Sequence, residues 1–90
     1  MSKNIDALSY VIRGKNRRDV LKTLGKHALL RQADVAKLAK MYRTHARRTL
    51  LELEDKKLIK CVNEKESQGK LYQITPSGKT ILKELNEIYN

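Results

Sequence analysis

The sequence predicts an α+β fold, mainly α: a winged helix-turn-helix, in which a three-helix core carries a β-hairpin wing and is extended by short N-terminal and C-terminal helices. Three observations predict it. Residues 32–57 read as two short helices broken at Met41 and Tyr42, and residues 58–75 read as two strands around a glycine-containing loop. The second of those helices also keeps Arg43, Thr44, His45, Arg47 and Arg48 off its apolar face, the arrangement expected of an element that reads a duplex.

The elements follow in chain order. Ile5, Leu8, Val11 and Ile12 recur at intervals near three and four, predicting a short helix over 5–12 that stops at Gly14. A second helix follows, with Asn16 placed to cap it, Asp19 in its first turn, Val20, Leu21 and Leu24 as the buried stripe, and Gly25 as a left-handed stop. Ala28, Leu29 and Leu30 are too short a run for a helix and are expected to form a small strand beside the wing. The helix-turn-helix spans 32–57. Its first helix starts near Gln32 and turns Val35, Ala36, Leu38 and Ala39 inward, leaving Lys37 and Lys40 outside.

Stepping the next helix at about 100° per residue gathers Ala46, Leu50 and Leu53 on the core side. Thr44, Arg48, Leu51 and Asp55 then fall on the opposite side, with Arg47 and Glu52 on the flanks. Arginine can bridge two acceptors on a guanine or a phosphate, Thr and His can donate or accept at base edges, and a leucine can meet a thymine methyl. Arg43, Thr44, His45, Arg47, Arg48 and Leu51 are therefore the expected base-reading residues. Glu52, Glu54 and Asp55 reverse the charge in the second half of the helix, so only the first half should approach phosphates.

The wing is expected over 58–75. Leu58, Ile59, Cys61 and Val62 mark one strand, Glu64 to Lys70 a polar loop with Gly69, and Leu71, Tyr72 and Ile74 the returning strand. Lys65, Gln68 and Lys70 are the tip residues expected to touch a phosphate or the minor groove, with Glu64 and Glu66 weakening that contact. The C-terminal helix, 76–89, starts at Thr75 and Pro76. Its wide apolar stripe makes it the expected dimer element, contributing Leu82, Leu85, Ile88 and Tyr89, with Ile5 and Leu8 beside them.

Composition narrows the function classes. The 90 residues suit one winged-helix DNA-binding domain, 1–90, with an aliphatic core, since four tyrosines are the only aromatic residues. The formal net charge of +10 is concentrated: residues 13–48 hold twelve Lys and Arg against Asp19 and Asp34, while the rest of the chain balances eight against eight. An excess confined to the helical segment reads as a polyanion footprint rather than a solubility device. Arg17, Arg18, Lys37, Lys40 and Tyr42 are expected on the DNA backbone. One of Arg17 and Arg18 could instead pair internally with Asp19 or Glu54.

One cysteine, Cys61, cannot close an internal disulfide, and two histidines without partners at ligand spacing make a poor metal site. No metal, cofactor or small-molecule ligand is expected. The N-terminus carries no basic-then-apolar leader, and no apolar run approaches the ~20 residues that span a bilayer, so a cytoplasmic, nucleoid-associated protein is expected. No nucleophile elbow, phosphate-cradling glycine loop or placed carboxylate pair points to an enzyme.

Four tracts together resemble a known group: Tyr10 to Leu24, Gln32 to Ala39, Thr49 to Leu58, and Leu71 to Lys79, the last carrying Tyr72-x-Ile74-Thr75-x-x-Gly78. They resemble the compact winged helix-turn-helix transcription regulators of archaea, and the last tract is similar to the end of the wing in MarR-like and ArsR-like proteins. The resemblance implies a homodimeric, sequence-specific transcription regulator that places its third core helix in the major groove of double-stranded DNA. Lys57 departs from the pattern, because the family usually has glycine there, and the metal-sensing cysteine pairs are missing. Two other readings use the same charges: a nucleoid architectural protein with little base preference, and a winged-helix module that binds RNA or another protein.

Overall fold

The computed structural model describes residues 2–89, and the side chains of residues 5–88. Five helices and three short strands follow one another as α1 (Ser2–Ile12), α2 (Lys15–Gly25), β1 (Leu30–Arg31), α3 (Gln32–Leu38), α4 (Arg43–Asp55), β2 (Ile59–Cys61), β3 (Leu71–Ile74) and α5 (Pro76–Tyr89). The strands make one antiparallel sheet in the order β1-β3-β2, with Tyr72 opposite both Leu30 and Cys61. The predicted order of elements is the observed one.

Alternation decides which side of the sheet faces the helices. Ile59 and Cys61 are buried while Lys60 is exposed, and Tyr72 and Ile74 are buried between half-exposed Leu71 and Gln73. The helices supply the rest of the core: Val20, Leu21 and Leu24 from α2, Val35 and Ala36 from α3, and Ala46, Leu50 and Leu53 from α4, joined by Val11 and by Ile81 and Leu85. Full burial of each large aliphatic side chain is worth about 1.5–3 kcal/mol, so this cluster is what holds α4 in place.

Several local expectations are corrected. α1 begins at Ser2, not residue 5, and α2 begins at Lys15, which leaves Gly14 rather than Asn16 at the N-cap, with no side-chain cap. Asp19 thereby lies beyond the first turn of α2, where its carboxylate meets Lys15 Nζ at 2.7 Å. Gly25 is the last residue of α2 and is not left-handed; the chain leaves the helix through Lys26 in the right-handed region, with its N–H on Thr23 O. Only Leu30 and Arg31 enter the sheet, opposite Tyr72 and Leu71; Ala28 and Leu29 stay outside. Leu38 is 47% exposed rather than internal, and Val62 lies just past β2 and is exposed.

Both helices of the helix-turn-helix end in the same way, and the turns depend on it. At the end of α3, Met41 N–H reaches Ala36 O and Lys40 N–H reaches Lys37 O; at the end of α4, Leu58 N–H reaches Leu53 O and Lys57 N–H reaches Glu54 O. These paired bonds close a helix through one left-handed residue, and that residue is Lys40 (φ 56°) in one case and Lys57 (φ 62°) in the other. Lysine therefore does occupy the conformation expected at position 57.

The Tyr-x-Ile-Thr-x-x-Gly tract has a structural account. Tyr72 and Ile74 turn into the core, and Thr75 Oγ1 accepts from Gly78 N–H at 3.0 Å, capping α5 just before Pro76. The same hydroxyl donates to Lys57 O at 2.8 Å, tying the end of α4 to the start of α5. Gly78 packs against the Leu58 carbonyl so closely that a Cβ would collide with its oxygen and stand 2.7 Å from Ile74 Cγ1.

Candidate nucleic-acid interface

The azimuths of α4 follow from its burial. Ala46, Leu50 and Leu53 are fully buried and Thr49 is 2% exposed, so the helix is gripped along one side. Arg43, Thr44, His45, Arg47, Arg48 and Leu51 are all exposed on the rest of its circumference. Among the described residues, Arg43, Arg47 and Arg48 form no ion pair.

Two grooves flank this surface. On one side Arg43, Arg47 and Leu51 look across to Arg31, Gln32 and the wing residues Gln68 and Lys70. On the other, His45 and Arg48 look across to Arg13, Lys15 and Asn16 at the corner between α1 and α2. Thr44 and Leu51 lie between, together with Arg47 and Arg48, on an outer strip that also meets Tyr10 and Asp55. Five of the six expected base-reading residues are thus divided between a wing-side and a corner-side groove, and Thr44 lies on the strip between them.

Asn63 shapes the wing. Its Oδ1 accepts from Leu71 N–H at 2.7 Å and its Nδ2 donates to Gly69 O at 3.1 Å, so one side chain spans the loop, while Gly69 takes the left-handed turn (φ 67°). Lys65, Gln68 and Lys70 are exposed, and Gln68 and Lys70 border the wing-side groove while Lys65 does not.

The expected backbone residues fare differently from one another. Lys37, Lys40 and Tyr42 are exposed, Tyr42 at 78%, with its ring edge-on to His45 at 5.9 Å between centroids. Arg17 is engaged internally: its Nε lies 3.3 Å from Glu52 Oε1, its Nη1 donates to Tyr10 O at 2.8 Å, and its guanidinium stacks 3.7 Å from the centre of the Tyr10 ring. The internal partner is Glu52, not Asp19 or Glu54. Arg18, half-buried, donates to the carbonyl of Ile12.

Arg13, Lys15 and Arg31 belong to the basic excess of residues 13–48 without an individual role in the sequence pattern, and each borders one of the two grooves. Arg31 sits opposite Leu71 in the sheet, next to Lys70, and reaches Asp34 at 3.4 Å. The break at Gly14 was the available signal for Arg13 and Lys15, whereas the place of Arg31 follows only from the pairing of β1 with β3.

The expected dimer surface changes in one respect. Leu85 is fully buried in the core of the single chain, while Leu82 is partly buried, Leu8 half-buried, Ile88 54% exposed and Ile5 67% exposed. The stripe of α5 reads as surplus in the sequence because the depth at which Leu85 meets the core is invisible in one dimension. The side chain of Tyr89 lies outside the described residues.

Among the described residues no group of three His, Cys, Asp or Glu could hold a metal ion, and no helix is long and apolar enough to cross a membrane.

A model of the TFIIE alpha subunit family matches residues 6–83, which include α2 to β3 entire and most of α1 and α5. The chain belongs to the TFIIE alpha subunit family. Solved structures show where this family member's fold recurs. A DNA complex of MepR from S. aureus aligns at a TM-score of 0.76 and 25% identity, over 98% of this chain and 73% of that one. A MarR family transcription regulator aligns at 0.74 and 20% identity over 96% of this chain, which spans 61% of that regulator's length. A fragment of a possible transcriptional regulatory protein from Mycobacterium bovis aligns at 0.76 and 15% identity, over 96% of this chain and 90% of the fragment. The MarR-like winged helix implied by the four sequence tracts is therefore the fold of this TFIIE alpha family member. No curated protein sequence matches it.

Proposed function

We propose that this chain is a sequence-specific double-stranded DNA-binding protein that regulates transcription, with the first half of α4 in the major groove and the wing on the flanking backbone or minor groove. One observation carries the reading: Arg43, Arg47 and Arg48 are exposed together on α4 without an ion pair among the described residues, beside Thr44 and Leu51. Cations left uncommitted on a helix held rigidly by its buried side are suited to phosphates and guanine edges. The solved MepR structure with the same fold is a DNA complex, which supports this reading.

In this mechanism Lys and Arg neutralise phosphates and supply most of the affinity, Arg47 and Arg48 discriminate bases, and two copies occupy half-sites about one helical turn apart. Ile5, Leu8, Leu82 and Ile88 form the homodimer surface. The protein works where the chromosome is, in the cytoplasm or nucleoid.

Selection of bound duplexes from a random pool tests this reading, followed by binding titrations in rising salt. A selected site should be preferred over random duplex by ~10³ or more, with affinity falling steeply as salt rises. A flat salt response sinks the proposal. Equal affinity for selected and random duplex would point to an architectural protein, and tighter binding to RNA would point to an RNA-binding module.

A further inference from the structure

We infer that the corner between α1 and α2 is a second phosphate-gripping edge of the nucleic-acid interface, on the opposite side of α4 from the wing. The inference rests on the reading of α4 as the duplex-facing helix and adds to it a surface and a ligand: the sugar-phosphate backbone of one DNA strand.

The groove between this corner and α4 is bordered by Arg13, Lys15 and Asn16 on one wall and by His45 and Arg48 on the other. Arg13 and Arg48 are exposed and form no ion pair among the described residues. Lys15 meets Asp19, but its side chain is 78% exposed, and an exposed pair at this spacing is weak enough for a phosphate to displace. Among the described residues lining the groove the one carboxylate, Glu52, is held by Arg17 at 3.3 Å. Its charge is thereby offset, and the groove remains cationic.

The Arg17–Glu52 pair also ties α2 directly to α4, so the two walls are held at a set spacing. On the far side of α4, Arg31 and Lys70 border the wing groove in the same manner. A helix seated in a major groove has a phosphate backbone on each side of it, and here each side meets a basic wall.

The test is fluorescence anisotropy with a selected and a random duplex, using wild-type protein, Arg47→Ala, and the double variant Arg13→Ala/Lys15→Gln. The double variant should bind both duplexes more weakly by the same factor, keep its site preference, and show a salt slope shallower by about one unit for each phosphate-neutralising cation removed. Its thermal melting should match the wild type, because both residues are exposed; should it fail to fold, Arg13→Ala alone serves, with a slope change of about one unit. Wild-type affinity and slope in the folded variant would overturn the inference, as would loss of site preference instead of uniform weakening. If the wild type binds duplex and Arg47→Ala loses preference while the corner variant is silent, only the corner fails. If the wild type binds no duplex, both readings fall together.

Discussion

The guanidinium of Arg17, on α2, lies 3.3 Å from the carboxylate of Glu52, on α4, and the same group donates to Tyr10 O and stacks on the Tyr10 ring. Three elements thus meet at one half-buried arginine. Arg17→Ala should cost about 1–3 kcal/mol in urea unfolding, because it removes a charge-assisted bond, a carbonyl bond and a ring contact at once. It should also weaken duplex binding, because Glu52 is then left uncompensated on the corner groove. A variant of unaltered stability with a shallower slope would show instead that Arg17 contacts phosphate.

Lys57 sits at φ 62°, closing α4 where glycine carries no Cβ penalty. Lys57→Gly should raise stability by up to about 1 kcal/mol, less whatever the more flexible glycine gains in the unfolded chain. Comparison of melting temperatures decides it, and a lower value for Lys57→Gly would mean that the lysine side chain contributes packing that outweighs its backbone strain.

Leu85 and Ile88 separate folding from assembly. Leu85 is fully buried, so Leu85→Ala should destabilise the single chain by about 2–5 kcal/mol. Ile88 is 54% exposed, so Ile88→Ala should change the stability of the single chain by about 0.5 kcal/mol or less. If Ile88 belongs to the homodimer surface, its replacement should shift sedimentation toward the monomer at low micromolar concentration. An unchanged dimer would remove Ile88 from that surface.

Tyr72 gives the fold an alkaline limit. Burial raises its phenol pKa above the ordinary value of 10.0, with the nearby Cys61 and Glu54 acting in the same direction and Arg47 against them. The folded state thus holds the proton more tightly than the unfolded chain. The stability linked to this group is fully present below pH 10.0 and is lost as pH rises through the higher folded value. Tyr72→Phe should flatten the decline of melting temperature above pH 10.0 relative to wild type; parallel declines would show that Tyr72 does not control it.

Much of this protein could be read without coordinates. Helix periodicity placed α3 and α4, alternation placed β2 and β3, and the Thr75-Pro76 pair marked the start of α5, because each signal depends on neighbours within a few residues. The buried side of α4 was legible for the same reason: a rigid helix converts sequence spacing into azimuth. Which cations remain free was not legible. The sequence left open which of Arg17 and Arg18 pairs internally and with what; Arg17 meets a carboxylate 35 residues away, while Arg48 faces outward.

The amino-acid sequence by itself determined the order of elements, the apolar faces and the basic excess in residues 13–48, all consequences of local periodicity and composition. Only the tertiary structure decided how that charge is divided. Packing α2 against α4 committed Arg17 to Glu52, and pairing β1 with β3 brought Arg31 beside Lys70. Packing α5 against α1 and α2 buried Leu85 and withdrew it from the surface. Each of these outcomes depends on a distance between residues far apart in the chain, which only the folded core sets.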